Sequence, residues 1–575
     1  MTQSRGVSTD QGTEGSDLAR PYSAQSVRNK ASSADMKTSH HDPEASILDL
    51  AEHPSKVQPE DQGLKRKLQG RHLRFLALGS SIGTGLFVGS GNILATGGPG
   101  SMMINFILLA AMVITVIFAV GELVSLFPVA GAYSVMISRF IDPSLGFAIG
   151  LNYLMTWLII LPVELTTVCI VVGYWDEDGV MPKGALIAIV LVAVFCINLF
   201  GVRAYGEFEF FATSIKIISL VGFIIGGVVI TCGGSPSGHY LGAHNWHLEG
   251  GAFINGFKGF CSVFVFGAFA FGGSELIGLA AAEAAEPRKQ LPRACKMVVW
   301  RVLIFFILAL FIVTLIVPYN DSRLLGSDSP RASPFVLAIK IGGIKSLPSV
   351  FNGAILISVI SVANSAVYAA SRLLVGMAEK QLLPSIFKYT DRQGRPLVGF
   401  VVVFLFGLLA FLVYSTSENE VFNWLIGISG LSTIFVWFTV CAAHIRFRYA
   451  WKAQGYTTHQ LPWSSPLGVY GSWFGFIING LLLAGNFYYA AFPISEGSMS
   501  PMERAHDFFE SMISAPIVIF FFISHKIFKR TRTVRFNEID LDSDRRDPVS
   551  EEVLARERAE RAEMPIWKRV LQFLF

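Results

Sequence analysis

Leu78-Gly79-Ser80-Ser81-Ile82-Gly83-Thr84-Gly85-Leu86-Phe87-Val88-Gly89 is an uncharged stretch that breaks on glycine in its own middle. No Asp, Glu, Lys or Arg occurs between Phe75 and Gly121, so the stretch belongs in hydrocarbon. Three glycines within residues 79–85 oppose a continuous helix, since each Gly costs about 1 kcal/mol against Ala. Bare main chain at such depth is tolerated only where protein buries it or where it lines a cavity. A second break of the same kind stands at Phe271-Gly272-Gly273-Ser274-Glu275. Paired interrupted helices in the two halves of a chain point to the substrate site of a membrane transporter.

The 575 residues are 52% hydrophobic and 15% charged, where a soluble domain carries about 25% charged residues. A mean hydropathy of +0.51 over that length implies many membrane spans rather than one anchor. The net charge of +4 gives no reason to expect a nucleic-acid partner, because distribution matters more than the sum. Six cysteines lie mostly in apolar segments without C-x-x-C spacing and read as small buried hydrophobes. The first 64 residues are polar and hold no apolar core of a signal peptide.

Residues 1–70 are rich in Ser, Asp, Glu, Gln and Gly and poor in aromatics, a composition that stays disordered. This tail reads as a regulatory handle, with Lys30, Lys37 and Lys56 open to ubiquitin-dependent trafficking machinery. Twelve spans of about 20 residues follow within 71–530. Basic residues test the count. Lys65, Arg66, Lys67, Arg71 and Arg74 precede span one, and Arg288, Lys289, Arg293 and Lys296 follow span six. Lys380, Lys388, Arg392 and Arg395 follow span eight, and Arg446, Arg448 and Lys452 follow span ten. Lys526, Lys529, Arg530, Arg532 and Arg535 close span twelve. With twelve spans all of these share one side, which the positive-inside rule makes cytoplasmic together with both termini.

The broken spans are then the first and the sixth. A repeat of five spans must be inverted relative to its copy, because an odd number of crossings reverses direction. The expected fold is therefore all-α, a 5+5 inverted-repeat core over about 72–231 and 254–445 with two extra helices over about 468–528. A cytoplasmic tail, 531–575, carries an amphipathic stretch that either lies on the inner leaflet or stays disordered.

Gly83 and Gly85 let the main chain leave the helix, so free amides of Ser81, Ile82, Gly83, Thr84 and Gly85 face a cavity suited to a carboxylate. Free carbonyls at the ends of the half-helices suit an ammonium group, and the pair fits a zwitterion such as an amino acid. The alternative is that these glycines only permit close helix packing. Gly79-Ser80-Ser81-Ile82-Gly83 formally matches G-x-S-x-G, but it lies in a span with no strand and no nearby His, so a hydrolase is excluded. No cofactor or metal is called for.

Ionisable residues inside spans read as functional. Glu122, Glu164, Lys216 and Glu275 stand out as proton-coupling candidates. Lys216 lies nine residues past Glu207, about 13 Å into a helix, and serves either as a titrating group or as a fixed cation bridging helices. Glu122, near a span end, reads equally as a structural ion-pair partner. Glu164 follows Pro162, which frees a carbonyl one turn earlier. Glu275 either caps the second half of span six or carries a proton. Phe269 and Phe271 flank the break, and Ser361, Asn364 and Ser429 are polar groups that could face the cavity.

The runs 81–91, Phe127-Pro128-Val129-Ala130-Gly131-Ala132-Tyr133, 272–280 and Glu286-Pro287-Arg288-Lys289 resemble fungal amino-acid permeases of the amino acid–polyamine–organocation superfamily. Gly394-Arg395-Pro396-Leu397-Val398-Gly399 and His444-Ile445-Arg446-Phe447-Arg448 extend the likeness, which runs from about residue 64 to 535. The segments Val317-Pro318-Tyr319-Asn320-Asp321 and Ala332-Ser333-Pro334-Phe335 look most like general permeases. The resemblance implies proton-driven amino-acid import at the plasma membrane. It also implies carboxylate binding by span one, ammonium binding near Phe271-Gly272-Gly273-Ser274, and a span-five lysine, Lys216, standing where sodium would sit. Ile160 is apolar where basic-amino-acid permeases tend to carry a hydroxyl, and the chain ends in Phe575 rather than a lipidatable Cys. The expected partners are an amino acid, protons and the bilayer. The rival readings are a narrow permease for proline or neutral amino acids, and a non-transporting sensor, against which the short tail argues.

Overall fold

The computed structural model describes residues 68–545 apart from 130, 177, 237, 285, 325–332, 416–417 and 495–498, together with 556, 559–560 and 563–565. The N-terminal tail and the amphipathic C-terminal stretch fall almost wholly outside these residues. Regular structure among the described residues is helical, with one isolated parallel bridge between Leu68 and Ala284. Leaving short connecting helices aside, the principal elements begin with α1 (Gly70–Gly79), α2 (Ser90–Leu126), α3 (Pro143–Val172), α4 (Lys183–Leu199) and α5 (Val202–Thr231). They continue with α6 (Phe264–Phe271), α7 (Leu276–Ala280), α8 (Pro287–Arg301), α9 (Leu347–Glu379), α10 (Leu397–Gly407) and α11 (Glu418–Ala453). The last are α12 (Gly468–Ala491), α13 (Pro501–Met512) and α14 (Ser514–Lys529).

Nine helical runs among the described residues are long and apolar enough to cross a membrane. The pair α13 and α14, bent by 62°, makes a tenth. One of the nine is a run of 42 residues, Gly85–Leu126, which is interrupted at Gly98 (φ 78°, ψ 172°) just before Pro99. Only glycine adopts that conformation readily, and proline cannot continue the hydrogen-bond ladder behind it. The short apolar helix Pro334–Ile341 is separate from α9 rather than an early start to it.

Position in the bundle follows side-chain pattern. α3 is buried along nearly its whole apolar length, so it is a central helix. α5 has two faces. Phe211, Ile218 and Ile225 are exposed at seven-residue spacing, a stripe that suits lipid. Glu209, Thr213, Lys216 and Leu220 are buried on the other face. The polar groups of α5 therefore point into the protein, as hydrocarbon demands.

The chain after α14 is packed against the bundle in a way its composition did not announce. Val534 N donates to Ile141 O at 2.9 Å, and Gln454 donates to Ile539 O at 2.8 Å. Ile539 and Leu541 are buried, and the Arg545 guanidinium lies over the rings of Trp451 and Tyr456. Two carboxylates fasten this strap. Asp142 pairs with Lys526 at 2.6 Å and accepts from Thr533 at 3.1 Å, while Asp544 pairs with Lys380 at 2.8 Å and with Arg139 at 2.5 Å.

Burial works against ionising both acids. For Asp142 the Lys526 ammonium, the Ser144 amide and the Thr533 hydroxyl outweigh it, and for Asp544 Lys380 and then Arg139 do so. Both carboxyls are held below their usual value of about 4. Lowered folded values mean that the stabilisation is complete above about pH 4 and is lost as pH falls through the folded values. Hydrogen exchange of residues 531–545, corrected for intrinsic rates, should therefore quicken only at pH below about 4 in the wild type. In Asp142→Asn it should already be faster at pH 7, by about tenfold, the worth of one charge-assisted hydrogen bond.

Candidate substrate site

α1 stops at Gly79, and helix resumes at Gly85 as a wide turn through Gly89 that leads into α2. α6 stops at Phe271 and α7 starts at Leu276, with Gly273 at φ 88° between them. The two interruptions meet. Ser80 Oγ donates to Gly273 O at 2.8 Å. A Cβ on Gly85 would stand 2.4 Å from Ala270 Cα, so the two chains cross main chain against main chain. On Gly83 a Cβ would strike Val362 of α9 at 2.5 Å. These glycines both open the helix and let its neighbours approach, which joins two readings that the sequence left as alternatives.

A cavity of about 20 Å³, room for about one water, lies at this crossing. Ser80, Ser81, Gly83, Thr84 and Gly85 form one wall, and Phe269 and Gly272 form another. Trp157, Ile160 and Glu164 of α3 and Val362 of α9 complete it. The Ser81 hydroxyl is buried without a hydrogen-bond partner. Glu164 accepts from Thr84 Oγ1 at 2.6 Å, which ties the acid of α3 to the break in span one. This cavity is too small for an amino acid.

The carbonyls that end α1 are not free for a substrate. Lys216 Nζ donates to Gly79 O and to Ser361 Oγ, each at 2.9 Å. Arg301 of α8 donates to Ala77 O at 2.6 Å and to Ser274 Oγ at 2.5 Å. Two protein cations thus occupy the end of α1, one of the half-helix ends that the sequence reading offered to an ammonium group. The positive charge there belongs to the protein.

Of the residues singled out in the sequence, Ser81, Gly83, Thr84, Gly85, Ile160, Glu164 and Gly272 line the cavity. Phe269 lines it as well, and the others do not. Ile82 is buried beside it, and Gly273 and Ser274 serve the crossing through Ser80 and Arg301. Phe271 stacks on Phe306 at 4.6 Å, and its neighbour Phe269 faces the cavity. Asn364 accepts from Asn198 of α4 at 2.7 Å, while Ser429 donates to Leu425 O within α11. Glu275 accepts from Gly273 N and from Trp437 Nε1, both at 3.3 Å, which makes it a cap on the broken end. Glu122 sits apart, in contact with Arg448 at 2.7 Å and His444 at 3.1 Å, and takes the Ser465 amide at 2.6 Å.

Trp157, Val362, Arg301 and Glu209 escaped the sequence reading. Arg301 is legible in the sequence as a charge next to the apolar run 302–316, and Glu209 as an acid two residues beyond Glu207 near the start of span five. A second cavity, about 270 Å³, lies where the strap meets the bundle and is lined by Pro128, Val129, Ala281, Ala282, Pro287, Asp544 and Arg545.

A small cavity between two interrupted helices in an apolar multi-pass bundle is the arrangement of a carrier. The chain belongs to the amino acid permease family, which matches it over residues 72–538. It is 47% identical to the amino-acid permease GAP5 of Candida albicans, over 90% of this chain and 83% of that one. It is 46% identical to the general amino-acid permease GAP1 of Saccharomyces cerevisiae (89% and 86%) and 45% identical to the cationic amino acid transporter 1 of Schizosaccharomyces pombe (85% and 83%). The expected likeness to fungal permeases is met, and the chain is an integral membrane permease of the amino-acid transport class.

Gly85→Ala tests the crossing. The methyl must displace the main chain at Ala270, and overpacking of that kind costs about 1–3 kcal/mol. The thermal midpoint of the detergent-purified variant should fall by several degrees. In Gly222→Ala, where a Cβ meets nothing within 4 Å, it should stay at the wild-type value.

Proposed function

We propose that this permease imports L-amino acids of broad range across the plasma membrane, coupled to protons, by alternating access. One observation carries the reading. The cavity between the two broken spans joins main chain suited to a zwitterion with a buried acid, Glu164, through Thr84. The Ser81 hydroxyl and the amides of the break are the carboxylate ligands in this reading, and Trp157, Ile160, Phe269 and Val362 surround the side chain. Glu164 and Lys216 are the coupling groups, and Glu122 and Glu275 are structural.

A count of twelve crossings is supported by dividing the 42-residue run at Gly98 and counting the 17-residue α4 and the bent pair α13–α14. The interrupted spans are then five apart, which supports a 5+5 inverted repeat with α12 and the α13–α14 pair appended. In this reading the strap and the basic loops are cytoplasmic, which the positive-inside rule supports. Alternating access would move the bundle so that the small central cavity opens in turn to each side.

A narrower reading, neutral amino acids alone, draws on the apolar wall of Ile160, Phe269 and Val362. Uptake of a panel of labelled amino acids in yeast lacking its own permeases, at pH 5 and pH 7 with and without a protonophore, separates the two. Broad uptake that the protonophore abolishes is the expected result. Uptake of a few neutral amino acids would establish the narrow reading, and no uptake by protein confirmed at the cell surface would favour a sensor. Ser81→Ala should raise KM about tenfold or more, the worth of a hydrogen bond to a charged group, with its surface level unchanged.

A further inference from the structure

Lys216 is not alone on its helix face. Glu209, two turns earlier on α5, is 1% exposed and is not needed by the cavity or by the crossing of the broken spans. One hydroxyl joins the two groups. Ser361 Oγ accepts from Lys216 Nζ at 2.9 Å and lies 2.7 and 2.9 Å from the two Glu209 carboxylate oxygens. It donates its single proton to that carboxylate. Ammonium, hydroxyl and carboxylate therefore form a continuous donor–acceptor line in which each hydrogen bond already points toward Glu209.

The line continues. Ser365 Oγ lies 3.2 Å from Glu209 Oε1, and Tyr205 OH lies 3.2 Å from Ser365 Oγ. The Tyr205 ring is stacked flat on Tyr368 at 4.2 Å, and Tyr368 OH donates to Glu283 at 2.8 Å. Glu283 is paired with Arg372 at 3.2 Å and directly follows Ala281 and Ala282, which line the cavity beneath the strap. Buried polar groups thus run from the central cavity toward the strap face. The other charges around the pair are Glu164 of α3 and Arg301 of α8 near Lys216, with Glu283 and Arg372 beyond Tyr205.

We propose that Glu209 is the proton acceptor of the transport cycle, receiving through Ser361 the proton that Lys216 gives up. The inference rests on the proton-coupled reading of the preceding section. The transfer is balanced. Ser361 hands its hydroxyl proton to the Glu209 carboxylate as it takes one from the Lys216 ammonium, which leaves a neutral amine, an unchanged hydroxyl and a carboxylic acid. The pair has zero net charge before and after. An ion pair held in low dielectric lies close in energy to its neutral form, because desolvation of two charges offsets their attraction. A proton can therefore move along this line without leaving an isolated charge in hydrocarbon.

The test uses the full chain, purified and reconstituted in liposomes, with an equimolar mixture of ¹⁴C-labelled L-amino acids as probe. Two quantities are read: accumulation driven by an imposed pH gradient, and counterflow, which exchanges substrate without net proton movement. In Glu209→Gln, accumulation should fall about tenfold while counterflow falls less than twofold, as expected when a proton station is lost from a buried path. Ser361→Ala should shift both readings in the same direction, and Glu209→Asp should restore part of the accumulation. Full accumulation in Glu209→Gln would overturn the role of Glu209 while leaving proton coupling intact. Loss of accumulation and counterflow together, in protein that is monodisperse by size exclusion, would make Glu209 a brace and also overturn it. Wild-type accumulation indifferent to the pH gradient would sink the coupled reading itself, and this inference with it.

Discussion

The carbonyls at the end of α1 are the constraint on which the centre of the molecule depends. A helix end leaves about four carbonyls without partners, and within hydrocarbon no water can take them. Arg301 takes Ala77 O and Lys216 takes Gly79 O, from two different helices. Cations at the negative end of a helix also complement its dipole. Without them the break at residues 80–84 would expose unsatisfied main chain. With them the half-helix has a fixed end, and the turn at Ser80 can reach across to Gly273. Each cation has a second attachment that ties this end to another part of the bundle. Arg301 reaches Ser274 at the other break, and Lys216 reaches Ser361 on α9. One unsatisfied stretch of chain thus organises four helices.

Much of this architecture was legible because hydrocarbon permits few solutions. The glycines at 79, 83 and 85 and at 272 and 273 marked both interruptions, and the structure places the helix ends at Gly79 and Phe271. The fold's helical character followed from composition. What the sequence concealed were the partners. Lys216 stood out as a charge within an apolar run, but its hydrogen bonds to Gly79 and Ser361 depend on helices distant in the chain. The choice between Phe269 and Phe271 was equally hidden. Two residues apart on a helix, they point to nearly opposite sides, and Phe271 packs against Phe106 and Phe306 while Phe269 faces the cavity. The packing of 531–545 was hidden because its anchors, Asp142, Arg139, Lys380 and Arg446, are scattered over helices and helix ends distant in the chain.

The division of labour among the buried carboxylates follows from their partners. Glu122 faces Arg448 and His444, and removing one member of such a set would strand a charge, so it is suited to holding helices together. Glu283 has Arg372 in the same relation. Glu164 and Glu209 instead are bonded through hydroxyls, Thr84 for the first and Ser361 and Ser365 for the second. A hydroxyl both donates and accepts, so it can serve either protonation state of the acid beside it. A guanidinium can only donate and holds its acid charged.

That distinction bears on how substrate and proton would communicate in the proposed cycle. Thr84 belongs to the broken segment that forms the cavity wall, and its hydroxyl is bonded to Glu164. Any movement of that segment around a bound amino acid changes the bond, and with it the charge that Glu164 presents to Lys216. Gly79, which Lys216 holds, lies at the start of the same segment. Both ends of one flexible stretch of main chain are therefore attached to ionisable side chains. A substrate that ties down the stretch biases both attachments at once. In the proposed cycle the coupling would require no separate transmission element, because the main chain along the cavity would itself link the two ionisable side chains.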